Sequence, residues 1–134
     1  MTAKQFLKQY EEANNKALQH KREYEKQMEL IGSISMKMDG MPHGSNISKP
    51  TENDAIKLAD RAKKLIEAEK KAVQVRQEVY EVIADVPDIE GQVLYEKYIN
   101  LCSWAETADR LHYTVRGVQY AHGRALRIVA EKIK

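Results

Sequence analysis

Between Thr114 and Arg127 the chain sets Arg116, Gln119, Tyr120, Arg124 and Arg127 at helical steps. At about 100° per residue these side chains, with Gly123, share one arc of a helix. A guanidinium fork pairs bidentately with a phosphate or with the major-groove edge of guanine, and a primary amide does the same for adenine. Arg116, Gln119 and Tyr120 are therefore candidates for base edges, and Thr114, Arg124 and Arg127 for phosphates. An arc of arginines, an amide and a phenol, in place of mixed lysine and glutamate, carries the chemistry of a double-stranded DNA partner. Gly117 and Gly123 each cost about 1 kcal/mol in an exposed helix interior. Each is expected to have a use, either close approach to another molecule or packing on a neighbouring helix.

The opposite side of the same helix gathers Val118, Ala121, Ala125 and Val129, which predicts a buried face. Thr114 is placed as its N-cap. His112, Tyr113 and Thr114 form a tight turn, with His112 where glycine commonly supplies a positive φ. Upstream, Ser103 and Glu106 have the spacing of a capping box, so a shorter helix is predicted from Trp104 to about Leu111. Its inner face would be Trp104, Thr107, Ala108 and Leu111, with the small Ala108 where the two helices cross. This is the layout of a helix-turn-helix. His122 is expected to flank the outward arc, and Cys102 to be a small, partly buried thiol at the turn before the shorter helix.

Two long helices are predicted ahead of this unit. Met1 to about Ile31 has no glycine or proline and spans roughly 45 Å as a helix. Its stripe runs through Phe6, Tyr10, Ala13, Ala17, His20, Tyr24, Gln27 and Ile31. Residues 32–50, GSISMKMDGMPHGSNISKP, read as a loop in which Met36, Met38 and Met41 are available to cover an apolar surface. Pro50, Thr51 and Asp54 open a second helix, whose seam of Leu58, Ala62, Leu65, Ala72, Val79 and Ile83 is interrupted by Glu69 and Arg76. Val86 and Pro87 end it, Asp88 caps the next helix, and Ile89, Val93, Leu94 and Tyr98 would pack behind the helix-turn-helix. The expectation is an all-α fold, with a long antiparallel, coiled-coil-like helical hairpin (1–85) followed by a small three-helix helix-turn-helix domain (86–134). The stripes also suit a homo-oligomer through the helical arm.

Charge is concentrated at one end. From Thr114 onward five basic residues face the single Glu131, a net charge of +4 in a chain whose total is +2. A basic tip on a near-neutral body points to local contact with a polyanion. No apolar run approaches the ~20 residues of a membrane span, and the N-terminus has no secretory apolar segment, so a cytoplasmic protein is expected. One cysteine and four scattered histidines offer neither an internal disulfide nor metal-ligand spacing. With no nucleophile beside a base and no glycine-rich phosphate loop, no catalytic residues, cofactor or enzymatic activity are expected.

From Val86 onward the chain resembles the fourth conserved region of bacterial sigma factors. Pro87 opens a helix ending in the aromatic Tyr98. Ser103 with Glu106, Thr107 and Ala108 stands where that family has a capped "EIA" helix, and Arg124, Ala125 and Leu126 match its "RAL" motif. This covers about a third of the chain. Taken whole, with its long first helix, central MPHGS-like loop, SWAETA and terminal HGRAL, the chain is similar to small phage and prophage transcriptional regulators of Gram-positive bacteria, of the ArpU and RinA type. That resemblance implies control of phage gene expression. Gly117 stands where sigma-type recognition helices commonly carry arginine, so base preference does not transfer. A small-terminase-like DNA-packaging subunit and a protein-interaction module acting on RNA polymerase are the alternatives.

Overall fold

The computed structural model describes residues 1–39 and 52–134, with side chains outside 33–39. These residues form five helices and no strand: α1 (Ala3–Asp39), α2 (Glu52–Ala84), α3 (Asp88–Leu94), α4 (Trp104–Leu111) and α5 (Val115–Lys132). The first long helix packs against the second, as the two apolar stripes require. Among the described residues no helix is long and apolar enough to cross a membrane.

Contacts divide the chain into two compact units, Met1–Asn14 with Lys71–Lys134, and Asn15–Lys70. The division expected at residue 86 does not coincide with this grouping. The start of α1 and the end of α2 share a core with the C-terminal helices: Ala3 and Leu7 join Val79, Ile83, Val86, Leu94, Tyr98, Ile99, Ala125 and Val129. A three-helix bundle of this size buries little apolar surface alone, and these two segments cover its open side. A second cluster in the same unit joins Val93, Ala108, Val118 and Ala121, with Ile89, Trp104 and Leu111 at its margin.

In the other unit Ala17 and Gln27 are buried, and Leu58, Ala62 and Leu65 are half-buried. Arg61 donates to Glu23 across the pair of helices at 3.5 Å. The α1 stripe follows the expected positions from Tyr10 to Ile31, but at its beginning Leu7, and not Phe6, is fully enclosed. On α2 the seam passes through Ala68, so Glu69 stays exposed and does not interrupt it.

Three helix boundaries differ from expectation. α1 continues past Ile31 to Asp39, because a single Gly32 costs about 1 kcal/mol and does not stop a long helix. The remainder of the expected loop, with Met41, and the expected helix openers Pro50 and Thr51 lie outside the described residues, as do the side chains of Met36 and Met38. Asp88 does not cap α3. Pro87 holds the cap position, and Asp88 is the first helical residue, at φ 60°.

The third difference is that α3 passes directly into a π-helical turn, Tyr95–Ile99. It is closed by Asn100 N–H donating to the Tyr95 carbonyl at 3.1 Å and Cys102 N–H to that of Glu96 at 3.0 Å. Gly91 seats α3 against the end of α2. A Cβ there would collide with the Val86 carbonyl oxygen.

Candidate nucleic-acid interface

Helix α4 begins where its cap predicts. The Ser103 hydroxyl accepts the Glu106 N–H at 3.1 Å and also contacts the Glu106 carboxylate at 3.2 Å. Thr107 is fully buried, and its hydroxyl donates to the Ser103 carbonyl at 2.8 Å. The helix ends at His112, which takes the left-handed conformation (φ 59°, ψ 41°) expected of it. That conformation lets Tyr113 N–H reach the Ala108 carbonyl at 2.9 Å. Thr114 then caps α5, its Oγ1 accepting the Gly117 N–H at 3.0 Å. The turn thus fixes the angle at which α5 leaves α4.

Glu96 strengthens this geometry from behind. It accepts from Arg110 of α4 at 3.0 Å, from the Asn100 side chain at 3.1 Å and from the Cys102 thiol at 3.5 Å. Burial pushes its pKa up, but these hydrogen bonds outweigh burial and hold the carboxyl below its ordinary value. The Cys102 thiol is buried, and burial with the Glu96 contact pushes its pKa up. A thiol so placed is a poor nucleophile.

Along α5 the inner face is closed, with Val118, Ala121, Ala125 and Val129 at most 1 % exposed. The outer face carries Arg116, Gln119, Tyr120, Arg124 and Arg127, all exposed, with Gly123 half-buried among them. Arg116 Nε and Nη2 donate to the Tyr120 hydroxyl at 3.3 and 3.1 Å. The guanidinium carbon lies 5.6 Å from the Tyr120 ring centre. Arg116 is thus held along the helix and retains further N–H donors.

Arg124 is not left open. Its Nε donates to Glu90 of α3 at 2.8 Å, and that hydrogen bond lowers the Glu90 pKa. A separation of 34 residues leaves no local signal for this pair. Gly123 has open space where a Cβ would stand, so tight helix packing is not its use. Gly117 lies against the Thr114 hydroxyl that caps its own N–H, 3.1 Å from where its Cβ would be.

His122 does not flank the outward arc. It is buried, with Nε2 2.6 Å from the Tyr98 hydroxyl and the ring edge-to-face with Trp104 at 4.9 Å. Burial, and the nearby Lys4 and Lys97, push its pKa down to about 4. Burial also pushes the Tyr98 phenol up to about 12. The signal for this placement was present in the spacing. On the helical wheel position 122 falls nearer the centre of the Val118–Ala125–Val129 face than Ala121 does, and only its polarity suggested otherwise.

Among the described residues no cluster of three or more His, Cys, Asp or Glu side chains is arranged to hold a metal. The arrangement presents hydrogen-bond donors and positive charge on a fixed helix, which suits recognition of an acceptor-rich polyanion. Neither a protein family, nor a curated protein, nor a solved structure matches this chain.

Proposed function

We propose that this chain is a sequence-specific DNA-binding regulator of phage or prophage transcription, with α5 entering the major groove. The observation that carries the reading is the division of α5 into a face at most 1 % exposed and an outer arc of Arg116, Gln119, Tyr120 and Arg127. A helix held so firmly on one side and presenting guanidinium and amide groups on the other is a recognition helix in chemistry and form. Arg116 reads a base edge from a position restrained by Tyr120. Thr114 and Arg127 take phosphates. Arg124 reaches a phosphate with the donors that Glu90 does not occupy.

Selection from a library of short duplexes at two salt concentrations tests this reading and is expected to return a defined motif. Arg116→Ala is expected to reduce discrimination by about 1–3 kcal/mol at one position of the motif. Arg127→Ala is expected to weaken all sequences alike and to lower the salt slope by about one. Equal loss on preferred and random duplexes for Arg116→Ala would remove it from base reading. Salt-sensitive binding without a motif favours the packaging subunit, and no binding favours the protein-interaction module.

A further inference from the structure

A second constellation in the same unit takes no part in the outward arc of α5. Lys4 and Lys8 of α1 line a cavity of about 260 Å³ together with Glu11, Lys97, Trp104 and His122. Three ammonium groups and one carboxylate on one cavity leave an excess of two positive charges. Lys4 and Lys8 stand one helical turn apart, an arrangement of like charges that destabilises a helix by itself.

Glu11 does not neutralise them by contact. The ion pairs of this unit among the described residues are Glu96 with Arg110, Glu90 with Arg124 and Glu131 with Lys134. Lys97 is positioned from both sides. Its Nζ donates to the Cys102 carbonyl at 3.0 Å and lies 4.2 Å from the Trp104 ring centre. One of its three N–H bonds is spent there. Behind it the Tyr98–His122 hydrogen bond supplies a neutral polar wall.

The left-handed residue after the π-helical turn brings Cys102 N–H back onto the Glu96 carbonyl and sets one side of the cavity. Leu101, which lines the cavity, has φ 56°, a conformation costing a side-chain-bearing residue of order 1–2 kcal/mol.

We infer that this cavity binds a small phosphate dianion, inorganic phosphate or a short phosphate monoester, with Lys4, Lys8 and Lys97 as its charge partners. Two net positive charges match a dianion. The volume falls just below the roughly 300–1,000 Å³ of drug-sized sites, so a short organic body fits and a dinucleotide does not. Bound there, the anion joins the first turns of α1 to the segment entering α4.

The test uses the full chain and inorganic phosphate at constant ionic strength, with chloride as the balancing salt. Trp104 is the one tryptophan, so its fluorescence reports on this cavity. Saturable quenching or enhancement is expected, with one phosphate per chain by calorimetry. Lys4→Gln with Lys8→Gln, at two exposed positions, is expected to weaken phosphate at least tenfold while leaving helicity unchanged. Lys4→Arg with Lys8→Arg is expected to retain binding.

A linear, unsaturable response, or equal affinity in the Lys4→Gln, Lys8→Gln variant, overturns the inference. So does displacement of the phosphate by a short DNA duplex, which would assign the lysines to a nucleic-acid surface. DNA selection in chloride runs independently, so failure here is separable from failure of the proposed function.

Discussion

In the unit formed by Met1–Asn14 and Lys71–Lys134, Leu7, Val79, Val93, Leu94, Val118 and Val129 have almost no exposed surface. In the unit of Asn15–Lys70, Leu58, Ala62 and Leu65 are only half-buried, and Leu18, Met28, Leu30, Ile56 and Ile66 are exposed. The residue types are similar, but the number of covering elements differs. Two helices cover a side chain from one side, whereas a third and fourth helix close over it. Apolar burial contributes about 25 cal/mol per Å², so the same leucine stabilises the first unit far more than the second.

The largest test of this contrast is Leu94→Ala against Leu65→Ala. Leu94 is fully buried, and its truncation is expected to cost about 2–5 kcal/mol. Leu65 keeps solvent contact and is expected to cost about 1 kcal/mol. Urea denaturation of both variants measures the difference. Equal losses would mean that the half-buried seam is covered in solution, as a homo-oligomer would cover it.

Acid is expected to act next most strongly, and on the first unit. His122 has a folded pKa near 4 against an ordinary value of 6.5, so the unfolded chain binds the extra proton between those values. The stability tied to neutral His122 is complete above pH 6.5 and is lost as pH falls toward 4. Thermal unfolding from pH 7 to 4 measures this, and His122→Gln is expected to flatten the slope. An unchanged slope in that variant would place the acid sensitivity elsewhere.

Thr114→Ala is expected to destabilise the first unit by about 1 kcal/mol through loss of the α5 cap, again read by urea denaturation. A loss within error would mean that the closed inner face of α5 alone fixes its start.

The smallest expected effect has the opposite sign. Gly123→Ala meets no neighbour and replaces the poorer helix former, so stability is expected to rise by roughly 0.5–1 kcal/mol. If α5 lies in a groove at Gly123, duplex affinity falls in the same variant. A gain in stability without loss of affinity would leave that glycine outside the contact.

The parts legible in the sequence were those with local causes. Ser103 and Glu106 fixed the start of α4, His112 its end and Thr114 the start of α5, because a cap and its partner lie within four residues of each other. The inner face of α5 followed from periodicity. What escaped had distant causes. Leu7 is enclosed because the end of α2 and α5 meet over it, and Arg124 is held by a carboxylate on α3. Lys4 and Lys97 come to one cavity from positions 93 residues apart. Gly32 shows a different limit: it stands where the composition changes, but a lone glycine is too weak a breaker to end a long helix.

The π-helical turn has a consequence for which changes this chain can absorb. A turn of that kind holds one residue more than a regular one. Deleting one residue from 95 to 97 would let the backbone relax into a continuous α-helix. Because the extra residue is already absorbed in the turn, such a deletion leaves Leu94 close to its present facing relative to Tyr98 and Ile99, whereas one further inserted residue in a regular helix would rotate it by about 100°. In this stretch a shortening is therefore tolerated better than a lengthening. Substitutions within it test packing, whereas a single-residue insertion would turn Leu94 away from the cluster it shares with Tyr98 and Ile99.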